Sequence, residues 1–330
     1  MSLPSIDTIE AAIERAVEFI ARAQQADGEV AARRHDTPDL SDAGELDPSN
    51  FATSFALYAM EFSAHPLARE VERRARALLM KEALGPGIWR YSAQRLTIPI
   101  DPDLDDTCCI AFAFRNWDEG RAFCRNNVES ILRNRDRHSG LFRTWIRTHD
   151  CGNDTDFVVN ANVLLYLGER PETMIARNTI VHAINCDEEN RWYWYYCDML
   201  AFYYAVARAH FYSVPGFAKC RDSVMRKIAA RHEADAQPLT ALTAAYSLCS
   251  LMYYGVQDET MIAADLAVIL AEQSKDDGFP RYPFYTGWIP PFKCRHWWGS
   301  EALTAAFCIE ALGLYVRWHC GRTDVRPEKQ

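Results

Sequence analysis

The sequence predicts an all-α protein, an (α/α)6 barrel of six helical hairpins in which six inner helices are ringed by six outer ones. Three observations predict it. Apolar residues recur at three- and four-residue spacing in twelve segments. Alternate segments are apolar all round, the mark of a helix buried on every side, while those between carry a charged face. The connections share this rhythm, short after each apolar segment and usually long before the next. The repeat also permits an open solenoid, but the strongly apolar inner series favours closure. Twelve helices use nearly all of the 330 residues, so one barrel domain over 1–330 is expected.

In chain order, the segments lie near 8–26, 51–62, 66–82, 105–115, 118–132, 156–168, 172–184, 198–211, 215–232, 238–253, 258–273 and 299–318. The first is amphipathic and outer. The second, opening Phe51-Ala52-Thr53-Ser54-Phe55, is small and apolar throughout and therefore inner. The third carries the charged run Arg69-Glu70-Val71-Glu72-Arg73-Arg74 and returns to the outside. The alternation continues through the inner starts Asp106-Thr107-Cys108-Cys109, Asp156-Phe157-Val158-Val159, Asp198-Met199-Leu200-Ala201, Leu239-Thr240-Ala241-Leu242 and Ser300-Glu301-Ala302-Leu303. No segment reads as a strand. The long returns carry glycine turns followed by apolar or aromatic residues, as in Gly87-Ile88-Trp89, Gly140-Leu141-Phe142 and Gly278-Phe279. They all reach the end where the inner helices begin, which makes that end the expected working face.

Composition narrows the classes of function. With 36 Lys+Arg against 45 Asp+Glu the net charge is −9, which argues against a nucleic-acid grip. Apolar runs fall short of the roughly 20 residues a membrane span needs, leaving at most contact with a membrane surface. Met1-Ser2-Leu3-Pro4 has no signal-peptide pattern, so a cytoplasmic protein is expected. The eleven cysteines include no C-x-x-C pair and lie largely in apolar helical patterns, so reduced thiols and no closed zinc site are expected.

The densest chemistry is Asp101-Pro102-Asp103-Leu104-Asp105-Asp106-Thr107, where the second inner helix begins. One aspartate, Asp105 or Asp106, is expected to cap the helix by accepting a backbone N–H. The others crowd charge into a partly dry pocket, which raises at least one carboxyl pKa, while the helix N-terminus opposes that shift. A carboxyl kept protonated in this way can act as an acid.

Asp103-Leu104-Asp105-Asp106-Thr107 resembles the D-x-D-D-T motif of class II terpene cyclases, the family of squalene-hopene cyclase and the diterpene diphosphate cyclases. Ala23-Gln24-Gln25-Ala26-Asp27-Gly28 and Gln273-Ser274-Lys275-Asp276-Asp277-Gly278-Phe279 are similar to degenerate copies of that family's glutamine-to-tryptophan repeats. The resemblance implies a terpenoid cyclase/protein prenyltransferase-like barrel that cyclises a linear isoprenoid, a prenyl diphosphate or a squalene-like chain, by protonation. By position, Asp105 would be the proton donor, with Asp103 and Asp106 orienting and tuning it. Trp89, Tyr91, Trp145, Trp192, Tyr195, Trp288, Trp297 and Trp298 would line the substrate and stabilise carbocations with their faces. No cofactor is required and no metal site is implied. Mg2+ would enter only as an aid to binding a diphosphate, for which Arg90, Arg143, Arg147, Arg281, Lys293 and Arg295 stand in or near the loops. The well-known cyclases of this class set their pocket between two barrel domains. One barrel here therefore implies a site within the barrel and its loops, a homodimer that completes it, or loss of activity.

Two rival classes share the architecture. A carbohydrate-active hydrolase or lyase would pair Asp105 or Asp106 with Asp154, Asp156 or Asp198 across a water. A non-catalytic barrel would bind a hydrophobic ligand and tolerate loss of Asp105. A protein prenyltransferase site would need zinc, for which Cys197-Asp198 and His296 stand in the wrong order.

Overall fold

The computed structural model describes residues 3–91, 100–147, 152–234, 238–288 and 295–321. Its α-helices are α1 (Ile6–Ala23), α2 (Asn50–Ala59), α3 (Pro66–Glu82), α4 (Leu104–Ala113), α5 (Asp118–Cys124), α6 (Asn127–Arg133), α7 (Phe157–Leu167), α8 (Met174–Asn185), α9 (Met199–Tyr212), α10 (Arg221–His232), α11 (Ala241–Tyr253), α12 (Glu259–Glu272) and α13 (Glu301–His319). Helices α2, α4, α7, α9, α11 and α13 pack in that cyclic order, and α13 meets α2 to close the ring. Every residue of α2, α4 and α11 is buried, as a helix enclosed on all sides requires. The fold is the (α/α)6 barrel the hairpin rhythm predicts.

Each inner helix starts with a polar cap. Ser49, Asp103, Asp156, Asp198, Thr240 and Ser300 each accept a backbone N–H of the first turn through the side chain. In three repeats the residue four places after the cap also holds the preceding loop. The Val30 amide donates to Thr53 Oγ1 at 3.0 Å, the Trp89 amide to Thr107 Oγ1 at 3.2 Å and the Phe142 amide to Asn160 Oδ1 at 2.8 Å. Each clasped residue stands two places after a glycine at positive φ, Gly28, Gly87 or Gly140, a backbone state that glycine enters without a Cβ clash. The two glutamine motifs also fold alike. The side-chain amides of Gln24 and Gln273 each donate to the carbonyl four residues on, Gly28 at 2.9 Å and Asp277 at 3.2 Å, and each reaches a neighbouring outer helix as well.

Two elements differ from the sequence expectation. The outer segment predicted over 118–132 breaks into α5 and α6, because Asn127 is buried there. Its amide donates to the Gly87 carbonyl at 2.9 Å and its Oδ1 accepts from Tyr166 at 3.0 Å. The expectation of no strand also fails. β1 (Ala32–His35), β2 (Glu45–Asp47), β3 (Pro283–Trp288) and β4 (Arg295–Gly299) form an antiparallel sheet in the order β2-β1-β4-β3. It joins the first and last long returns over the mouth. These strands are short, and β1 and β4 mix arginine and histidine with their apolar residues, so neither shows apolar alternation. The nine described cysteines are free. Among the described residues no helix is long and apolar enough to cross a membrane.

Candidate active site

The motif is built by two loops that clamp the start of α4. The Asp103 amide donates to the Trp89 carbonyl at 3.1 Å, the Leu104 amide to Thr144 at 2.8 Å and the Ile146 amide to Pro102 at 2.8 Å. This holds the chain extended up to Asp103, which then caps the helix by accepting from the Asp106 amide at 2.8 Å. The cap is thus Asp103, which corrects the expectation of Asp105 or Asp106 and leaves both of those side chains to the site.

All three aspartates are buried. Asp105 Oδ1 accepts from the Asn162 side-chain amide at 2.7 Å, and its Oδ2 accepts from the Tyr196 hydroxyl at 2.5 Å. Burial pushes the Asp105 carboxyl up, against the pull of these two hydrogen bonds and of the Arg208 charge. Burial also carries Asp103 to about 7, helped by the charge of Asp105. Asp106 is pushed well above the usual carboxylate range by burial and then by Asp103, and its Oδ1 is enclosed with no hydrogen-bond partner. A buried carboxylate oxygen without a donor is costly, which favours the protonated form of Asp106.

Aromatic rings form the surroundings. Tyr285 of β3 is stacked between Tyr91 at 5.5 Å and Tyr195 at 5.6 Å, and meets Tyr196 and Trp298 edge-on at 5.9 and 5.8 Å. Phe51 stacks on Phe284 at 5.9 Å. Trp145 donates from Nε1 to the Tyr195 hydroxyl at 3.1 Å, and Tyr195 donates to Asp154 at 2.5 Å.

The structure therefore gathers Asp103, Asp105, Asp106, Tyr91, Trp145, Tyr195 and Trp298 around one mouth. Other expected aromatics lie elsewhere. The Trp89 ring is packed inside the wall against Phe114 and Phe123, with Nε1 on the Leu79 carbonyl at 2.6 Å, so its backbone rather than its indole reaches the motif. Trp192 is exposed on a turn at Glu189–Trp192. Trp297 is half-buried and, by strand alternation, on the opposite face of β4 from Trp298. The side chain of Trp288 lies outside the described residues, as does Lys293. Four of the loop arginines are engaged: Arg143 with Asp136, Arg147 with Asp101, Arg281 with Glu301, and Arg295 with Thr286 and the Trp194 carbonyl. His296 pairs with Asp36 at 2.9 Å, and among the described residues no group of three or more His, Cys, Asp or Glu is arranged to hold a metal.

Below Asp105 the lumen is bridged by polar side chains that the apolar pattern concealed. Arg208 donates to Asn162 Oδ1 at 2.9 Å and to the Tyr204 hydroxyl at 2.9 Å. Tyr204 and Tyr253 donate to Glu310 at 2.8 and 2.5 Å, and Tyr253 lies 2.8 Å from the Tyr58 hydroxyl. Asp105, Asn162, Arg208, Glu310, Tyr253 and Tyr58 come one from each inner helix. Between Asn162, Tyr196, Tyr204, Arg208, Phe55 and Phe307 there remains about 10 Å3, room for roughly one water-sized sphere. A hollow of about 430 Å3 opens beside it between the starts of α9 and α11, lined by Asp198, Thr240, Leu242, Tyr246 and Phe284. The two spaces share Ala201 and Tyr246.

No family model matches the sequence, and no curated protein does. Solved structures do match in three dimensions. A protein from Actinoplanes superposes with a TM-score of 0.72 at 17% identity, covering 93% of this chain and 99% of that one. The apo type II terpene cyclase MstE from Scytonema gives a TM-score of 0.68 at 15% identity over 95% of this chain and 99% of that one. The chain has the (α/α)6 barrel fold that MstE also has. An unsaturated glucuronyl hydrolase specific for heparin shares it too, with a TM-score of 0.61 at 12% identity over 98% of this chain and all of that one (100%). A variant of MstE has been solved with geranylgeranyl dihydroxybenzoate, described as its substrate. At these identities the likeness establishes the fold alone, and the chemistry has to be argued from the site.

Proposed function

We propose that the chain is a class II terpene cyclase-like enzyme in which Asp105 protonates a linear isoprenoid and starts its cyclisation. The observation that carries this reading is the buried aspartate cluster under the Tyr91–Tyr285–Tyr195 stack, with Asp105 held by a donor on each oxygen. In the step, the Asp105 O–H bond breaks and its proton takes the π electrons of a terminal alkene. A C–H bond forms, leaving a tertiary carbocation on the substrate and a carboxylate on Asp105. Asn162 and Tyr196 are already placed to stabilise that carboxylate. Ring closure passes the positive charge to the next alkenes, where negative aromatic faces receive it. Loss of a proton from carbon then ends the reaction, so the product is an isomer of the substrate.

The hydrocarbon is assigned to the hollow between α9 and α11. Its reacting end would pass Tyr246 and Ala201 toward Tyr196 and Asn162, the two partners of Asp105. A diphosphate is one head group for such a chain; an aromatic acid, as in the MstE substrate, is another. The carbohydrate reading is less well supported at Asp156, whose oxygens accept the amides of Val158, Val159 and Trp194 and so serve the start of α7. The full chain should be incubated with linear prenyl diphosphates, geranylgeranylated aromatic acids and squalene, with and without Mg2+, and products sought by mass spectrometry. A cyclic isomer from the wild type that Asp105→Asn does not make supports the proposal. Equal product from Asp105→Asn refutes it.

A further inference from the structure

We propose that Arg208 is a positioning residue that acts on Asp105 through Asn162 and sets its strength as an acid, an inference that rests on the cyclase reading above. An asparagine amide has a donating end and an accepting end, and a bystander would be free to turn either toward the carboxyl. A guanidinium only donates. By holding Asn162 Oδ1 at 2.9 Å, Arg208 leaves the NH2 end for Asp105, where it sits at 2.7 Å. The reversed amide would accept the Asp105 proton and hold it away from the alkene. In the observed orientation the amide instead favours the carboxylate that proton transfer creates, and the guanidinium charge behind it strengthens that preference.

Among the described residues, the titratable and charged groups facing Asp105 are Asp103 at the cap of α4, Asp106, Cys108 and Cys109 on α4, Asp156 at the start of α7, Tyr196 before α9, Arg208 on α9 and Tyr285 on β3. Arg208 is the cation in this set. It is buried among the rings of Phe55, Tyr58, Phe112 and Tyr204, at 4.9 to 5.7 Å from their centres. Filling a lumen needs bulk and no charge, and a buried charge is costly without a polar task. The connection to Asp105 supplies that task.

The test is a pH titration of the Asp105 carboxyl in the full chain by infrared difference spectroscopy, with Asp105→Asn as the blank. Arg208→Met should raise the midpoint by about one pH unit, a roughly tenfold change in acidity. Asn162→Leu should raise it too, and the double variant should fall well short of the sum of the two single shifts, because Arg208 acts largely through that amide. In the cyclisation assay, plateau kcat should fall about tenfold and the high-pH limb should move upward by the same unit, with KM unchanged. An unmoved midpoint in folded Arg208→Met, or additive shifts in the double variant, overturns the inference. Should Arg208→Met fail to fold, Arg208→Gln keeps a donor toward Asn162 without the charge and must give a smaller shift in the same direction; no shift overturns the inference equally. The infrared readout needs no turnover. A shifted midpoint in a chain that cyclises nothing therefore refutes the cyclase reading and supports the linkage.

Discussion

Asp103, Asp105 and Asp106 stand within four positions, yet the fold gives each a different task. Asp103 caps, Asp106 has its Oδ1 closed in without a partner, and Asp105 receives one donor on each oxygen. At this scale the sharpest handle is Tyr196. Tyr196→Phe keeps the ring and removes the donor to Asp105 Oδ2. A hydrogen bond to a charged group contributes about 2 kcal/mol, so cyclisation should slow roughly tenfold or more while the melting temperature changes little. Removing that donor also raises the Asp105 pKa, so the high-pH limb of the rate profile should move upward; a lower rate with an unmoved limb would assign Tyr196 to packing alone. The triplet was legible because its members are adjacent. Tyr196 lies 91 positions from Asp105, and Tyr285 sits in a strand that was not foreseen, so neither could be joined to the acid by spacing. Asn162, Arg208 and Glu310 did leave a signal, as polar residues inside apolar helical runs.

At the scale of elements, the inner helix start is a repeated device: a polar cap, and four residues later a Thr or Asn that clasps the incoming loop. Asn160 binds both backbone groups of Phe142, the amide at 2.8 Å and the carbonyl at 2.9 Å. Thr53 and Thr107 clasp more weakly. Asn160→Leu should therefore cost about 2 to 3 kcal/mol in urea unfolding, since it leaves two buried backbone groups unpaired, and Thr53→Val about 1 kcal/mol. Equal costs would mean that the clasp contributes little beyond packing. The helices were readable because their burial is written in period and composition. The mouth sheet was not, since its pairing joins β1 to β4 across more than 250 residues, and hydrogen bonds between backbones leave no side-chain pattern.

For the whole molecule, closure explains both the stability and the placing of the chemistry. The six inner helices are apolar toward one another, while the chain from Asp105 through Arg208 to Glu310 ties them across the lumen. That arrangement has a pH signature. Burial raises Glu310 from 4.5 to about 7, and Asp103 and Asp156 from 3.8 to about 7. Between about pH 4 and 7 the folded chain then binds protons that the unfolded chain has lost, so this contribution is complete at low pH and disappears as pH rises through the window. Glu310→Gln, which cannot ionise, should gain in melting temperature relative to wild type between about pH 5 and pH 8. A constant difference would show that Glu310 titrates alike in both states.

In the proposed mechanism, Asp105 delivers the proton that starts ring formation. That step is tested most directly by running the cyclisation in D2O with wild type and Asp105→Asn, and reading deuterium in the product by mass spectrometry and NMR. Deuterium is expected in the wild-type product at the former CH carbon of the terminal alkene, now a ring methylene beside the gem-dimethyl carbon, and no product is expected from the folded variant. A cyclic product without deuterium at that carbon, or one formed as readily by Asp105→Asn, would contradict it.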